Sequence, residues 1–336
     1  MKKLTLVLCI IVLSACLAFA NGSGEKTEQT IKITLSDINN AETVQGKASQ
    51  AFADLVKERS NGRIIIETFL GGQLGTEAEN IQNLRTGAVG ITRINVANLE
   101  TRGIDVPEYS LFGLPYLFRS KQHAENYFYS EKGGKLADKI AEATGGEIHG
   151  LDAYLIAAPR SFFFKTDAHS MADVASKKVR SESTPMKVDM MSAFGMSATP
   201  MGLNDMYSAL QTGMIDGGEH NISSFKSYAF YEQCPYVLLT KHNYNSNIYL
   251  ISGTLVDKLS KEDLELINQC AKETCIEYSK LFEEDDAKVI DELKAKGINF
   301  NEPTDIKVWQ DAASTLYEKY AAGYDAFIQE VLSFDK

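Results

Sequence analysis

Two arginines, Arg160 and Arg180, stand twenty positions apart in a chain of 336 residues, each beside a segment with strand character. Arg160 precedes the apolar run Ser161 to Phe164, and Arg180 closes the run from Lys177, ahead of the polar turn Ser181 to Pro185. A guanidinium holds its donors in a rigid planar fork that matches the two oxygens of a carboxylate. At strand ends of an α/β sheet such groups stand in the crevice where folds of that class take ligands. The chemistry this pair could do is therefore capture of an anion, a carboxylate above all. Read singly, either arginine is better explained by an ordinary surface ion pair, since most charged side chains stay solvated.

Other chemistry is hard to find. There is no P-loop and no G-x-G-x-x-G. Gly195-Met196-Ser197-Ala198-Thr199 begins like a nucleophile elbow but lacks the closing glycine. The five histidines, His123, His149, His169, His220 and His242, show neither H-x-x-x-H nor H-E-x-x-H spacing, so no metal and no cofactor is expected. The acidic run Glu283 to Asp286 reads as a solvated helix face. A net charge of −11 argues against a nucleic-acid or anionic-membrane partner. It also means that an anionic ligand must be drawn by local positive charge against the overall field.

The elements that would position the arginines follow an alternating pattern. A composition of 44% hydrophobic and 24% charged residues suits a globular protein with room for two domains. Ile31 to Ser36 has the period of a strand, and Val44, Ala48, Ala51, Phe52, Leu55 and Val56 trace one face of a helix. Arg63 to Phe69 follows as a strand covered on both faces, then a helix over Thr76 to Arg85 closed by Gly87, then a strand near Ala88 to Thr92. That winding implies βαβ units and a parallel sheet. Tyr236 to Thr240 and Asn247 to Ser252 read as two further strands. A helix from about Lys261 to Ala295 is expected, with Ser260 and Asp263 as a capping box, Gly297 as its stop, and Leu264, Ile267, Ala271, Ile276 and Leu281 on its buried side. A terminal helix pair lies within Trp309 to Phe334.

Met1 to Ala20 has the form of an export signal: Lys2 and Lys3 precede an apolar stretch too short for a comfortable membrane span. Leu13-Ser14-Ala15-Cys16 resembles a lipobox, which would leave a lipid anchor on Cys16. Ala18-Phe19-Ala20 offers a competing soluble cleavage site. Residues 21–30 would then be a tether. Cys234, Cys270 and Cys275 remain in the mature chain, and the spacing of the last two on a helix turns them apart.

The central stretch resembles the substrate-binding proteins of tripartite ATP-independent periplasmic (TRAP) transporters. The likeness rests on an arginine before an aromatic strand, Lys178-Val179-Arg180 at the next, Ala198-Thr199-Pro200-Met201, and the helix carrying Tyr207, Ala209, Leu210, Gln211, Gly213, Asp216 and Gly217. Ser60-Asn61-Gly62-Arg63-Ile64, Gly71 to Glu77 (GGQLGTE) and Leu111 to Phe118 (LFGLPYLF) extend it over nearly the whole mature chain. The last of these also reads as a hydrophobic linker to the next helix. The resemblance implies an α/β two-lobed periplasmic binding protein whose long helix spans both lobes. The expected division is 31–157 plus 246–285 for lobe 1, and 158–245 plus 286–336 for lobe 2. It implies a monomeric solute receptor, not an enzyme, that delivers an organic acid to membrane permease subunits. Arg180 takes the role of the main carboxylate clamp, and Arg160 assists.

Within the family, Ser181 to Met201, Gly217 to Phe225 and Thr92-Arg93 look most like the branch that binds sugar acids such as glucuronate and galacturonate. A uronate needs one carboxylate clamp and several amide, carboxylate or imidazole groups for its hydroxyls. Asn39, Glu77, Arg93, Asn221 and His242 are the expected suppliers, with His220 standing where the branch has asparagine. The missing prolines after Asn221 and the altered turn at Asn243 to Ser246 also depart from that branch, so a dicarboxylate or another organic acid stays open as cargo, as does a sensor role. An exported enzyme is the third alternative.

Overall fold

The computed structural model describes residues 30–336. The export signal, Cys16 and all but the last residue of the tether lie outside the described residues. The chain builds two sheets. The first contains β1 (Ile31–Ser36), β2 (Ile64–Phe69), β3 (Ile91–Asn95), β4 (Ile148–Ile156) and β10 (Ser246–Ser252), in the order β2-β1-β3-β10-β4. The second contains β5 (Arg160–Phe164), β6 (Lys178–Ser181), β7 (Ser197–Pro200), β8 (Gly217–His220), β9 (Tyr236–Asn243) and β11 (Asn299–Asn301), in the order β11-β9-β5-β8-β6-β7.

The parallel winding expected from the sequence is present where β1 pairs with β2 and β3. Between them run α1 (Val44–Arg59) and α2 (Glu77–Thr86). Thr43 caps α1, and the Thr76–Glu79 capping box and left-handed Gly87 bound α2. Gly46 is required at its place, because a Cβ there would lie 2.1 Å from the Asn40 carbonyl oxygen. The lack of a Cβ lets the Asn40 backbone close over the first turn of the helix. The sheet is not purely parallel: β10 enters antiparallel between β3 and β4. β3 and β5 are buried at every position, as strands covered on both faces should be.

Three further helices cover the first sheet: α3 (Pro107–Leu111), α4 (Lys121–Phe128) and α5 (Glu131–Ala143). On the second lie α6 (Pro185–Ala193), α7 (Met206–Thr212) and α8 (Ile222–Ser227). The segment Leu111 to Phe118 is more than a linker. Phe112 stacks within an aromatic cluster, 4.7 Å from Phe128 between ring centroids. The same segment is sewn to β9, where the Tyr116 amide donates to the His242 carbonyl at 2.8 Å and Asn243 Nδ2 donates to the Phe112 carbonyl at 3.2 Å.

After α9 (Gly253–Val256) comes α10 (Lys261–Ala295), with Ser260 as its cap and the left-handed Gly297 just past its end. At 1.5 Å per residue it spans roughly 50 Å. Ile267, Ala271, Cys275 and Phe282 join the core beneath the first sheet, while Val289 and Leu293 join the core beside the second. One helix thus braces both lobes. Two details depart from expectation. Leu281 is exposed and Phe282 is buried in its stead. Asp263 spends its carboxylate on Arg63, so only the serine half of the capping box is built. α11 (Ile306–Tyr320) packs on α6, and α12 (Asp325–Leu332) returns to the first lobe. There Phe327 meets Phe112, and the Val331 carbonyl meets His123 Nε2 at 2.8 Å. Cys234, Cys270 and Cys275 are buried free thiols.

Candidate functional site

A cavity of about 510 Å³ opens between the two sheets and takes lining from both lobes. The strand directions explain why the two arginines meet there. β8 runs parallel to β6 and antiparallel to β5. The start of β5 and the ends of β6 and β8 therefore share one sheet edge, and Arg160, Arg180 and His220 all reach the cavity.

The two arginines are in different states. Arg160 is committed to Glu219: Nη2 donates to Oε1 at 2.6 Å and to the backbone carbonyl at 2.9 Å, and Nε donates to Oε2. Glu182 lies 3.5 Å from the same guanidinium. Arg180 is 5% exposed, and its Nε donates to the Met201 carbonyl at 3.1 Å. Among the described residues no carboxylate comes within ion-pair reach of it. Burial presses its pKa below the ordinary arginine value, opposed by the charges of Glu182 and Glu219. Arg102, the third arginine on the cavity wall, faces Glu77 at 3.8 Å. Of the cavity's arginines, Arg180 is the one positioned to receive a carboxylate from outside.

The other expected residues divide. Asn39, Glu77, His220 and Asn221 line the cavity; Arg93 and His242 do not. Arg93 is held by Asp37 through Nε at 2.9 Å and Nη2 at 2.7 Å, while Nη1 donates to Asn247 at 2.7 Å. It therefore props a lining residue from behind. His242 stacks on Phe162 at 4.5 Å, shares a hydrogen bond between Nδ1 and Thr240 Oγ1, and lies 3.6 Å from Glu219.

His220 offers a defined donor. The Asn221 amide donates to its Nδ1 at 3.0 Å. Burial and the nearby Arg160 hold the ring well below the usual histidine range, so it is neutral and carries its proton on Nε2. Asn221 Oδ1 caps α8 through the Ser224 amide at 2.9 Å, which leaves Nδ2 for other work. Asn39 Nδ2 is anchored to Asp37 at 3.1 Å, leaving Oδ1 as an acceptor. Burial and the charge of Glu182 raise the Glu77 carboxyl above its usual range, tempered by the 2.9 Å hydrogen bond from Asn98.

Several lining residues were not anticipated: Glu182 and the amides Gln45, Asn95, Asn98, Asn245 and Asn247. Burial works against the charge on Glu182, but Arg160 and Lys187 outweigh it and lower its pKa. One signal was legible, since Glu182 follows Arg180 by two positions in an extended run and so shares its side. The amides come from the first turn of α1, from β3 and its following turn, and from the β9–β10 turn and the start of β10, which only the fold brings together. The cavity can thus grip one carboxylate at Arg180 and offer donors and acceptors of both kinds to a hydroxylated body.

The pattern of the family described as "Bacterial extracellular solute-binding protein, family 7" matches residues 35–323. The chain belongs to this family. Among its relatives, a solute-binding protein of Roseobacter denitrificans is 31% identical over 303 residues, 90% of this chain and 88% of its own. A TRAP periplasmic solute-binding protein from Pseudomonas putida F1, solved with D-glucuronate bound, superposes with a TM-score of 0.85 at 30% identity, covering 91% of this chain and 98% of the other. A second, from Xanthobacter autotrophicus Py2 with bound β-D-galacturonate, gives 0.82 at 26% identity over 90% and 98%. This solute-binding protein therefore shares the two-lobed α/β architecture of those receptors. Among its described residues no helix is long and apolar enough to cross a membrane.

Proposed function

We propose that this protein is an exported receptor for a sugar acid of the glucuronate or galacturonate kind, which it hands unaltered to TRAP membrane subunits. The observation that carries the reading is Arg180: a buried fork with no carboxylate of its own among the described residues, in a cavity whose other arginines are already matched. The remainder of the lining supports a polyhydroxylated monoacid over a diacid. Glu77 and Glu182 accept hydroxyls readily but would repel a second carboxylate held in a low-dielectric cleft. His220 Nε2–H, Asn221 Nδ2 and Asn39 Oδ1 add donors and an acceptor, and Arg160 keeps Nη1 outside its pairing with Glu219. The sugar-acid ligands of the two structural neighbours agree with this chemistry. A thermal-shift panel tests it: D-glucuronate and D-galacturonate should raise the melting temperature, and C4-dicarboxylates should not. Stabilisation by succinate or malate with no response to either uronate would overturn the reading.

A further inference from the structure

Lys187 is the third residue of α6 and is 1% exposed. Among the described residues its Nζ has no hydrogen-bond partner. A lysine in a first turn also faces the positive end of the helix dipole. Both features are costly for a cation, and a methionine would fill the same space without them. The side chain has two surroundings. It lines a second cavity of about 260 Å³ beside Met186, Ala97 and Tyr320. Burial lowers its pKa, opposed first by the charge of Glu219 and then by that of Glu182; Glu182 lines the solute cavity, and Glu219 stands behind its wall.

We infer that Lys187 is a specificity-determining residue that never touches the solute: its charge balances Glu182, so that Arg180 stays available to the solute carboxylate. Around Arg180 the carboxylates are Glu182, Glu219 and Glu77, the last of which faces Arg102 at 3.8 Å. Arg160 answers Glu219, to which it is hydrogen-bonded on two sides. With Lys187 as the second counter-charge, Arg180 is the surplus cation and the cavity attracts one negative charge. Without it, Arg180 becomes the counter-charge of Glu182 and the cavity attracts none. This rests on the reading of Arg180 as the carboxylate clamp.

The experiment compares wild type, Lys187→Met and Lys187→Met/Glu182→Gln by calorimetric titration with D-glucuronate and D-galacturonate, and by melting without ligand. Loss of the counter-charge should weaken binding by roughly tenfold or more. The ligand-free melting temperature should hold or rise, since a buried unpaired cation has been removed. Adding Glu182→Gln should recover part of the affinity, because the surplus on Arg180 is restored although one hydroxyl acceptor is lost. Affinity within about twofold of wild type in Lys187→Met would overturn the inference while leaving the clamp intact. A marked drop in melting temperature would equally overturn it, as the mark of a packing role. Wild type that binds neither acid would sink the sugar-acid reading itself, and the inference with it.

Discussion

Arg180→Lys is the sharpest perturbation, because it keeps the charge and removes the fork. Arg180 has five N–H donors, and one is taken by the Met201 carbonyl at 3.1 Å. The two that face a carboxylate side by side are what lysine cannot reproduce. Losing one charge-assisted hydrogen bond in a buried site costs about 1.5–3 kcal/mol, roughly ten- to 150-fold in Kd. Isothermal titration with the uronate that stabilises the wild type reads this directly. The ligand-free melting temperature serves as a control for folding, and it should change little because Arg180 is not committed to an internal carboxylate. A folded Arg180→Lys protein binding within about twofold of wild type would refute the argument, for a shared point charge would then suffice. Complete replacement by methionine should cost more, about 2–5 kcal/mol, as for truncation of one member of a buried charge pair.

Other perturbations should separate structure from recognition. Glu219→Gln strips Arg160 of its principal counter-charge, and breaking a buried pair costs about 3–5 kcal/mol. Thermal denaturation should therefore show a large fall, with Glu182 at 3.5 Å softening it. Asp286, half-buried on α10, accepts from the Ser223 amide at 2.8 Å, and burial pushes its carboxyl up to about 7. A raised acid stabilises the fold below its unfolded value, about 3.9, and that contribution is lost as pH rises toward 7. Asp286→Asn should thus melt higher than the parent at about pH 8, with the gap narrowing toward about pH 5; calorimetry at both values decides it.

What the sequence disclosed and what it withheld differ by range. Periodicity located β1, α1, β2, α2 and α10 closely because each is set by neighbours within a turn or two. The third strand was placed three residues early, since Ala88 to Gly90 looks apolar yet forms the turn after α2. The arginines were visible as strand-end cations, but their inequality was not. Glu219 reaches Arg160 across 59 positions, and Asp37 reaches Arg93 across 56. Pairings of that length depend on which strands become neighbours, and no local pattern encodes them. Arg93 and His242 were accordingly expected at the ligand, whereas the fold sets them behind the wall. The asparagine-rich lining was unreadable for the same reason: Asn95 and Asn247 are opposite one another in the β3–β10 register, from segments far apart in the chain.

The stitching of Leu111 to Phe118 onto β9 has a mechanical consequence. On that flank the halves of the molecule are joined by the main-chain bond from Tyr116 to His242 and by Asn243 Nδ2 on the Phe112 and Leu114 carbonyls. Elsewhere they meet where the Asn40 amide donates to the Tyr228 hydroxyl and Asn95 Nδ2 to Glu182. On the far side Gly72 faces Asn204 across the cavity, and the bonds that close it there, at 3.4 and 3.3 Å, are longer than the 2.8 Å main-chain bond at the stitched flank.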